Sequence, residues 1–183
     1  MGSTAVMTFR LLTIAIDIGM TGALAIFADS IPVKVIDMPT RERSAGGREV
    51  DGYKLAAVLR GIRQEQSGAS MLVVIERVYA RPARFGGEGG SPGVTSSGKL
   101  MQGDGMVRGV VEALGMEIAN VEPQKWKRHH GLLGTEKDAA RLLAIKLYPS
   151  MAGGLARKKD IGRADALLVG SWAIAFEAAA NAA

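Results

Sequence analysis

At 183 residues, with 48% hydrophobic and 22% charged residues, the chain has the ordinary composition of one globular domain with a full core. It has no apolar run near the roughly 18 residues of a membrane helix and no cysteine, which excludes disulfides and thiolate metal sites. A formal charge of +5 and a pI of about 9.7 lean toward a polyanionic partner, and any bound metal would be a hard cation on carboxylates, magnesium or manganese.

Residues 1–7 read as a tag or disordered N-terminus, with Met7 as a candidate natural start, so a single domain is expected over residues 8–183. The first residues lack the charged and apolar regions expected of a secretory signal and are shorter than expected of a transit peptide, so the cytoplasm of a bacterium or phage-infected cell is the expected location. In residues 11–27, LLTIAIDIGMTGALAIF, two apolar runs flank a glycine-bearing turn. Continuous apolar sequence marks a strand buried on both faces, and the short gap suits a hairpin. Asp17 ends the first run, where burial is costly without a positive neighbour. It is either a site residue at the sheet edge or an Asx-type cap of the turn.

Residues 33–38 (VKVIDM) read as a third strand, ended by Pro39, and residues 40–49 as a polar loop. Asp51 is the expected N-cap of a helix through Glu65, with Leu55, Val58, Leu59 and Ile62 on one face. Gly68 closes that segment, and residues 71–75 (MLVVI) give the strongest buried-strand pattern, ending on Glu76. Residues 77–105 hold many glycines and the basic cluster Arg77, Arg81 and Arg84; a loop of this length is usually functional or disordered. A helix is expected from about residues 95–98 to Leu114, then a short strand over 116–121 ended by Pro123. Trp126 reads as core. Thr135 is the expected N-cap of a helix through Leu147, with Ala139, Leu142, Leu143 and Leu147 on its apolar side. Residues 150–162 form a basic connection, and a buried, nearly all-apolar helix follows from Arg163 to about residue 180. The order predicts one α/β domain with a mixed five-stranded sheet: three antiparallel strands, then parallel ones, flanked by helices.

Four carboxylates stand at element edges: Asp17 and Glu76 end buried strands, and Asp160 and Asp165 flank the start of the last helix. If the first and fourth strands are neighbours, Asp17 and Glu76 converge. Clustered carboxylates stay ionised together only when cations neutralise them. Two magnesium ions roughly 3.5–4 Å apart are the usual solution, in phosphodiester hydrolysis. Each acid has a plainer reading: Glu76 paired with Arg77, Asp165 as a first-turn helix acid, and Asp160 neutralised by Lys158 or Lys159. Arg157, Lys158, Lys159 and Arg163 lie beside these acids, where they would contact phosphates flanking a scissile bond. His129 and His130 are adjacent, a poor arrangement for two metal ligands, and are assigned no role.

The marks IAIDIGMTGALAIF, VVIERV and ADALLVGSWAIA resemble the RuvC-type Holliday junction resolvases of the RNase H-like superfamily, over essentially residues 11–175. The segments KWKRHHGLLGTEKDAARLLAIKLYPSM and RKKDIGRADALL resemble the branch of the chloroplast (monokaryotic chloroplast) resolvases and their bacterial and phage relatives. The resemblance implies an RNase H-like fold and a magnesium-dependent crossover junction endodeoxyribonuclease. It implies a homodimer that makes paired, symmetric nicks in a four-way junction at two-metal sites. Asp17, Glu76 and Asp165 match three of the family's catalytic, metal-binding acids. Asp160 matches the fourth with a spacing of five, unlike the three of bacterial RuvC. Lys127 and Lys137 join Arg157, Lys158, Lys159 and Arg163 as expected DNA contacts. In the long loop, Phe85 is the expected wedge on an unpaired base, with Arg81 and Arg84 on phosphates or bases. Tyr79 is expected to be packed.

Two other readings compete. Asp17, Gly19 and Thr21 also fit the phosphate loop of actin-like and sugar-kinase ATPases, which repeat the fold twice; this chain has length for one copy. A junction-binding module without catalysis, its acids merely capping, is the other.

Overall fold

The computed structural model describes residues 11–44, 46–66, 68–79 and 94–181, excluding the side chains of 94–96 and 177–181. Strands β1 (Leu11–Asp17), β2 (Ala23–Ala28) and β3 (Ile31–Asp37) form an antiparallel meander. A small hairpin of β4 (Thr40–Glu42) and β5 (Arg48–Val50) follows, then α1 (Gly52–Glu65), β6 (Ser70–Glu76), α2 (Val94–Ala113) and β7 (Glu117–Val121). Helices α3 (Pro123–His129) and α4 (Lys137–Leu147), a 3-10 helix (Pro149–Leu155) and α5 (Ile161–Asn181) complete the chain. The main sheet has the order β3-β2-β1-β6-β7, with β1–β6 and β6–β7 parallel. This is the mixed five-stranded sheet expected from the sequence, with the first apolar run at its centre.

Alternation along β1 sorts the core into two layers. Leu12, Ile14 and Ile16 pack with Leu55, Leu59 and Ile62 of α1 and Val107 and Val111 of α2. On the other face, Ala15 joins Ala23, Ala25 and Phe27 of β2 beneath Ala164, Leu167 and Leu168 of α5. Small side chains there let the long apolar helix lie close to the sheet. The same alternation places Asp17 on the α5 face, two residues beyond Ala15. In the parallel register Ile16 lies opposite Ile75, so Glu76 is next to Asp17 on the neighbouring strand and shares the face of Val74. The expected neighbour relation of the first and fourth strands is therefore present.

Local departures from the expectations have physical causes. The polar loop over 40–49 is a hairpin, with Arg41 bonded to Glu49 across it and left-handed Gly46 and Gly47 near its tip. Charged pairs and turn glycines hold these strands, so they have no apolar alternation to read. Asp51 caps α1 as expected, its carboxylate accepting from the Lys54 amide at 3.0 Å. Pro123 opens α3 instead of only ending a strand, since a first-turn proline costs a helix nothing.

Thr135 bonds back to the Leu132 carbonyl, and Glu136 stands at the start of α4. That helix buries Ala140, Arg141 and Ala144, leaving Leu142 56% and Leu147 45% exposed. Arg141 tolerates this burial because Asp138 and the Leu155 carbonyl satisfy its guanidinium. Tyr79 is exposed instead of packed, its hydroxyl bonded to Glu122. Among the described residues, no helix is long and apolar enough to cross a membrane.

Candidate active site

Three elements deliver one acid each to the same end of the sheet. Asp17 is the last residue of β1, just before the turn that joins it to β2. Gly22 closes that turn, donating to the Gly19 carbonyl at 3.1 Å, and lies against the Asp17 carbonyl where a Cβ has no room. Glu76 ends β6 and accepts a 3.0 Å hydrogen bond from the Trp126 indole. Trp126 is fully buried, as expected of a core residue, and it also orients an acid. Asp165 lies in α5 just after its first turn. That first turn sits tight against the β1–β2 turn. A Cβ on Gly162 would collide with the Thr21 carbonyl and stand 3.0 Å from Asp17 Oδ2.

The three carboxylates act on one another. Burial, then the charges of Asp165 and Glu76, raise the Asp17 pKa well above its ordinary value, against the pull of Lys127. Burial pushes Asp165 up to about 6, with Glu76 adding and Lys127 opposing. Burial also raises Glu76, opposed by the Trp126 bond and by Lys127. Lys127, from α3, thus opposes the rise at all three acids, its ammonium 5.2 Å from the Trp126 ring centroid. A cleft of about 560 Å³ opens here, lined by Asp17, Thr21, Lys127, Lys137, Lys159, Gly162 and Asp165.

Asp160 has different company. Its buried carboxylate accepts from the Arg157 amide at 2.9 Å and Arg157 Nη2 at 2.7 Å, with Arg163 Nη1 at 3.9 Å. Arg157 holds its pKa down to about 2. It lies outside the cleft lining, immediately before α5. The expected group of four is, in this structure, a group of three with Asp160 turned to arginines. Arg163 is likewise engaged, with Asp37 at 2.5 and 2.7 Å. Of the other expected DNA contacts, Lys127, Lys137 and Lys159 face the cleft, Lys158 is exposed, and Arg157 is exposed but bound to Asp160. Arg81, Arg84 and Phe85 lie outside the described residues. Sequence reasoning missed the Trp126–Glu76 bond, the contact at Gly162 and the Asp37–Arg163 pair, all between residues remote in the chain.

Among the described residues, no three His, Asp or Glu side chains stand close enough as placed to hold one ion. The donor set nevertheless fits a hard cation: three carboxylates, all with pKa values raised by burial, and Asp17 and Asp165 also by a neighbouring carboxylate's charge.

Two substitutions probe this construction. Trp126→Phe keeps the bulk and removes the donor to Glu76. Urea melts should show a loss of about 1.5–3 kcal/mol where Glu76 is ionised, shrinking where it is protonated. Gly162→Ala forces a methyl into the Thr21 carbonyl, and thermal melting should register a loss of roughly 1–3 kcal/mol.

No protein-family model matches the chain. Over 131 residues, 71% of its length, it is 32% identical to "Holliday junction resolvase MOC1, chloroplastic" of Chlamydomonas reinhardtii. The match spans only 14% of that protein. In fold it is similar to T. thermophilus RuvC solved in complex with a Holliday junction substrate. The TM-score is 0.56 at 15% identity, over 92% of this chain and 96% of the other. The chain thus has a RuvC-like α/β fold, and its expected resemblance to the RuvC-type resolvases is borne out in sequence and in fold.

Proposed function

We propose that the chain is a structure-selective endonuclease that resolves four-way DNA junctions by paired, symmetric nicks, acting as a homodimer. The observation that carries this reading is the convergence of Asp17 and Asp165 in a cleft edged by Lys127, Lys137 and Lys159, with Glu76 beside Asp17 on the neighbouring strand. The likeness to a junction resolvase over most of the chain supports the choice of substrate.

Asp17, Glu76 and Asp165 would hold divalent cations, magnesium or manganese, which supply Lewis-acid activation of water and charge stabilisation at the phosphodiester. The chain's own residues do the rest. Lys137 and Lys159 line the cleft and would attract and seat phosphates that flank the scissile bond. Lys127 counters the charge of the acid group before substrate arrives, and its ammonium can then meet a phosphate oxygen. Trp126 fixes the Glu76 carboxylate, and the close approach of Gly162 keeps Asp165 near Asp17. Asp160 joins this machinery indirectly, through the start of α5. The domain over residues 8–183, and Phe85 with Arg81 and Arg84 as junction-opening contacts, belong to the same proposal.

Incubation with synthetic four-way, three-way and linear duplex DNA in magnesium and in manganese tests it. Symmetric nicks confined to the four-way substrate are the expected result. Tight junction binding without cleavage in either metal would establish a silent binding module instead, and no binding would remove DNA as the substrate.

A further inference from the structure

The start of α5 carries Asp165, and an ion-pair lattice outside the cleft ties that start to its neighbours. At its centre is Arg163. Its Nε and Nη2 donate to the two oxygens of Asp37 at 2.5 and 2.7 Å, a bidentate fork. Its Nη1 donates to the Gly154 carbonyl at 2.8 Å and lies 3.9 Å from Asp160. Asp160 is in turn gripped by the Arg157 amide and guanidinium. The end of β3, the 3-10 helix and the segment before α5 therefore meet on one guanidinium.

This guanidinium projects from the turn that places Asp165, two residues away. A fork fixes orientation as well as distance, which a point charge does not. On the same turn Gly162 packs against Thr21 with no space for a Cβ, so a small rotation of the helix start is resisted there too. All three guanidinium nitrogens of Arg163 are bonded to protein oxygens. An arginine engaged in this way is poorly placed to bind phosphate, although its position beside the acids invites that assignment.

Resting on the nuclease reading above, we propose that Arg163 is a positioning residue. With Asp37 as its obligate partner and Asp160 as a secondary one, it sets the rotation of the start of α5, and hence where the Asp165 carboxylate stands. Asp37 separates this role from a phosphate contact, because losing an acid cannot weaken binding to a polyanion by removing a cation.

The test compares Asp37→Asn, Arg163→Gln and the double variant with the unaltered chain. Four readouts are needed: Mn²⁺ affinity without DNA, junction affinity against salt in EDTA, single-turnover cleavage and thermal melting. Each single variant should lower cleavage and Mn²⁺ affinity about 10–100-fold, the range for groups that orient a metal ligand, and the double should be no worse. Junction affinity and its salt slope should stay within about twofold of the parent, and melting should shift little, as for an exposed pair. An unaltered Asp37→Asn variant would overturn the proposal. So would an Arg163→Gln variant whose salt slope falls by about one while Asp37→Asn behaves as the parent, which is the phosphate contact. A parent chain that neither binds Mn²⁺ nor cuts would overturn the nuclease reading and this role with it. A competent parent with indifferent variants sinks the role alone.

Discussion

Asp17→Asn is expected to abolish junction cleavage while leaving junction binding largely intact. Burial and the charges of the other two carboxylates raise the Asp17 pKa well above its ordinary value. Asparagine keeps its size and one oxygen but removes the charge that would hold a hard cation. Losing transition-state charge stabilisation of several kcal/mol corresponds to roughly a 10³-fold fall in rate. Binding should survive because Lys127, Lys137 and Lys159 remain, and one repelling charge has gone from the cleft. The same variant carries a second, opposite signature. Without metal it should melt above the parent, since a buried, mutually repelling carboxylate has been neutralised, and divalent cations should no longer raise its melting temperature. Full cleavage by the variant would remove Asp17 from the metal site.

The metal-free protein should lose stability as pH rises through the region where other proteins are steadiest. Asp165 has a folded-state pKa of about 6 against an ordinary 3.8. Between these values the folded chain keeps a proton that the unfolded chain has released, so stability falls as pH climbs from about 4 to 6. The shift of about two units is worth roughly 3 kcal/mol for this group alone, and Asp17 and Glu76 add in the same direction. Asp160 works the other way. Its pKa of about 2 gives stability that is present above about 4 and lost as pH falls toward 2. Urea melts in EDTA across this range should show both limbs. Adding Mg²⁺ or Mn²⁺ should lift the upper limb selectively, because cations bind the ionised acids. A stability that rises steadily from about pH 4 to 8 in EDTA would contradict the clustering of the three carboxylates.

Much of the scaffold was legible because its signals are local. The runs LLTIAID and SMLVVIE are apolar enough to be central strands, and Asp51 has the residues of an N-cap before an amphipathic helix. Where charge replaced apolar patterning, reading failed. The β4–β5 hairpin is held by Arg41, Arg48, Glu42 and Glu49, whose spacing matches no strand template. The exposed Leu142 and Leu147 of α4 mark a second failure: the helix buries Ala140, Ala144 and an Arg141 satisfied by Asp138 and a distant carbonyl, a face its leucines do not mark.

The candidate site divides along the same line. That acids occur at Asp17, Glu76 and Asp165, each at the edge of a buried element, follows from residue order, because an apolar run ends where it ends. Their assembly required the parallel register of β1 with β6 and the passage of α5 over β1 and β2. Tertiary structure alone separated Asp165 from Asp160. The two are five apart and similar in sequence context, yet one faces the acid cluster and the other a pair of arginines. Local sequence sets which side chains leave a helix start. Where that start is aimed depends on contacts with Thr21, Asp37 and Gly154, residues whose proximity no local pattern encodes.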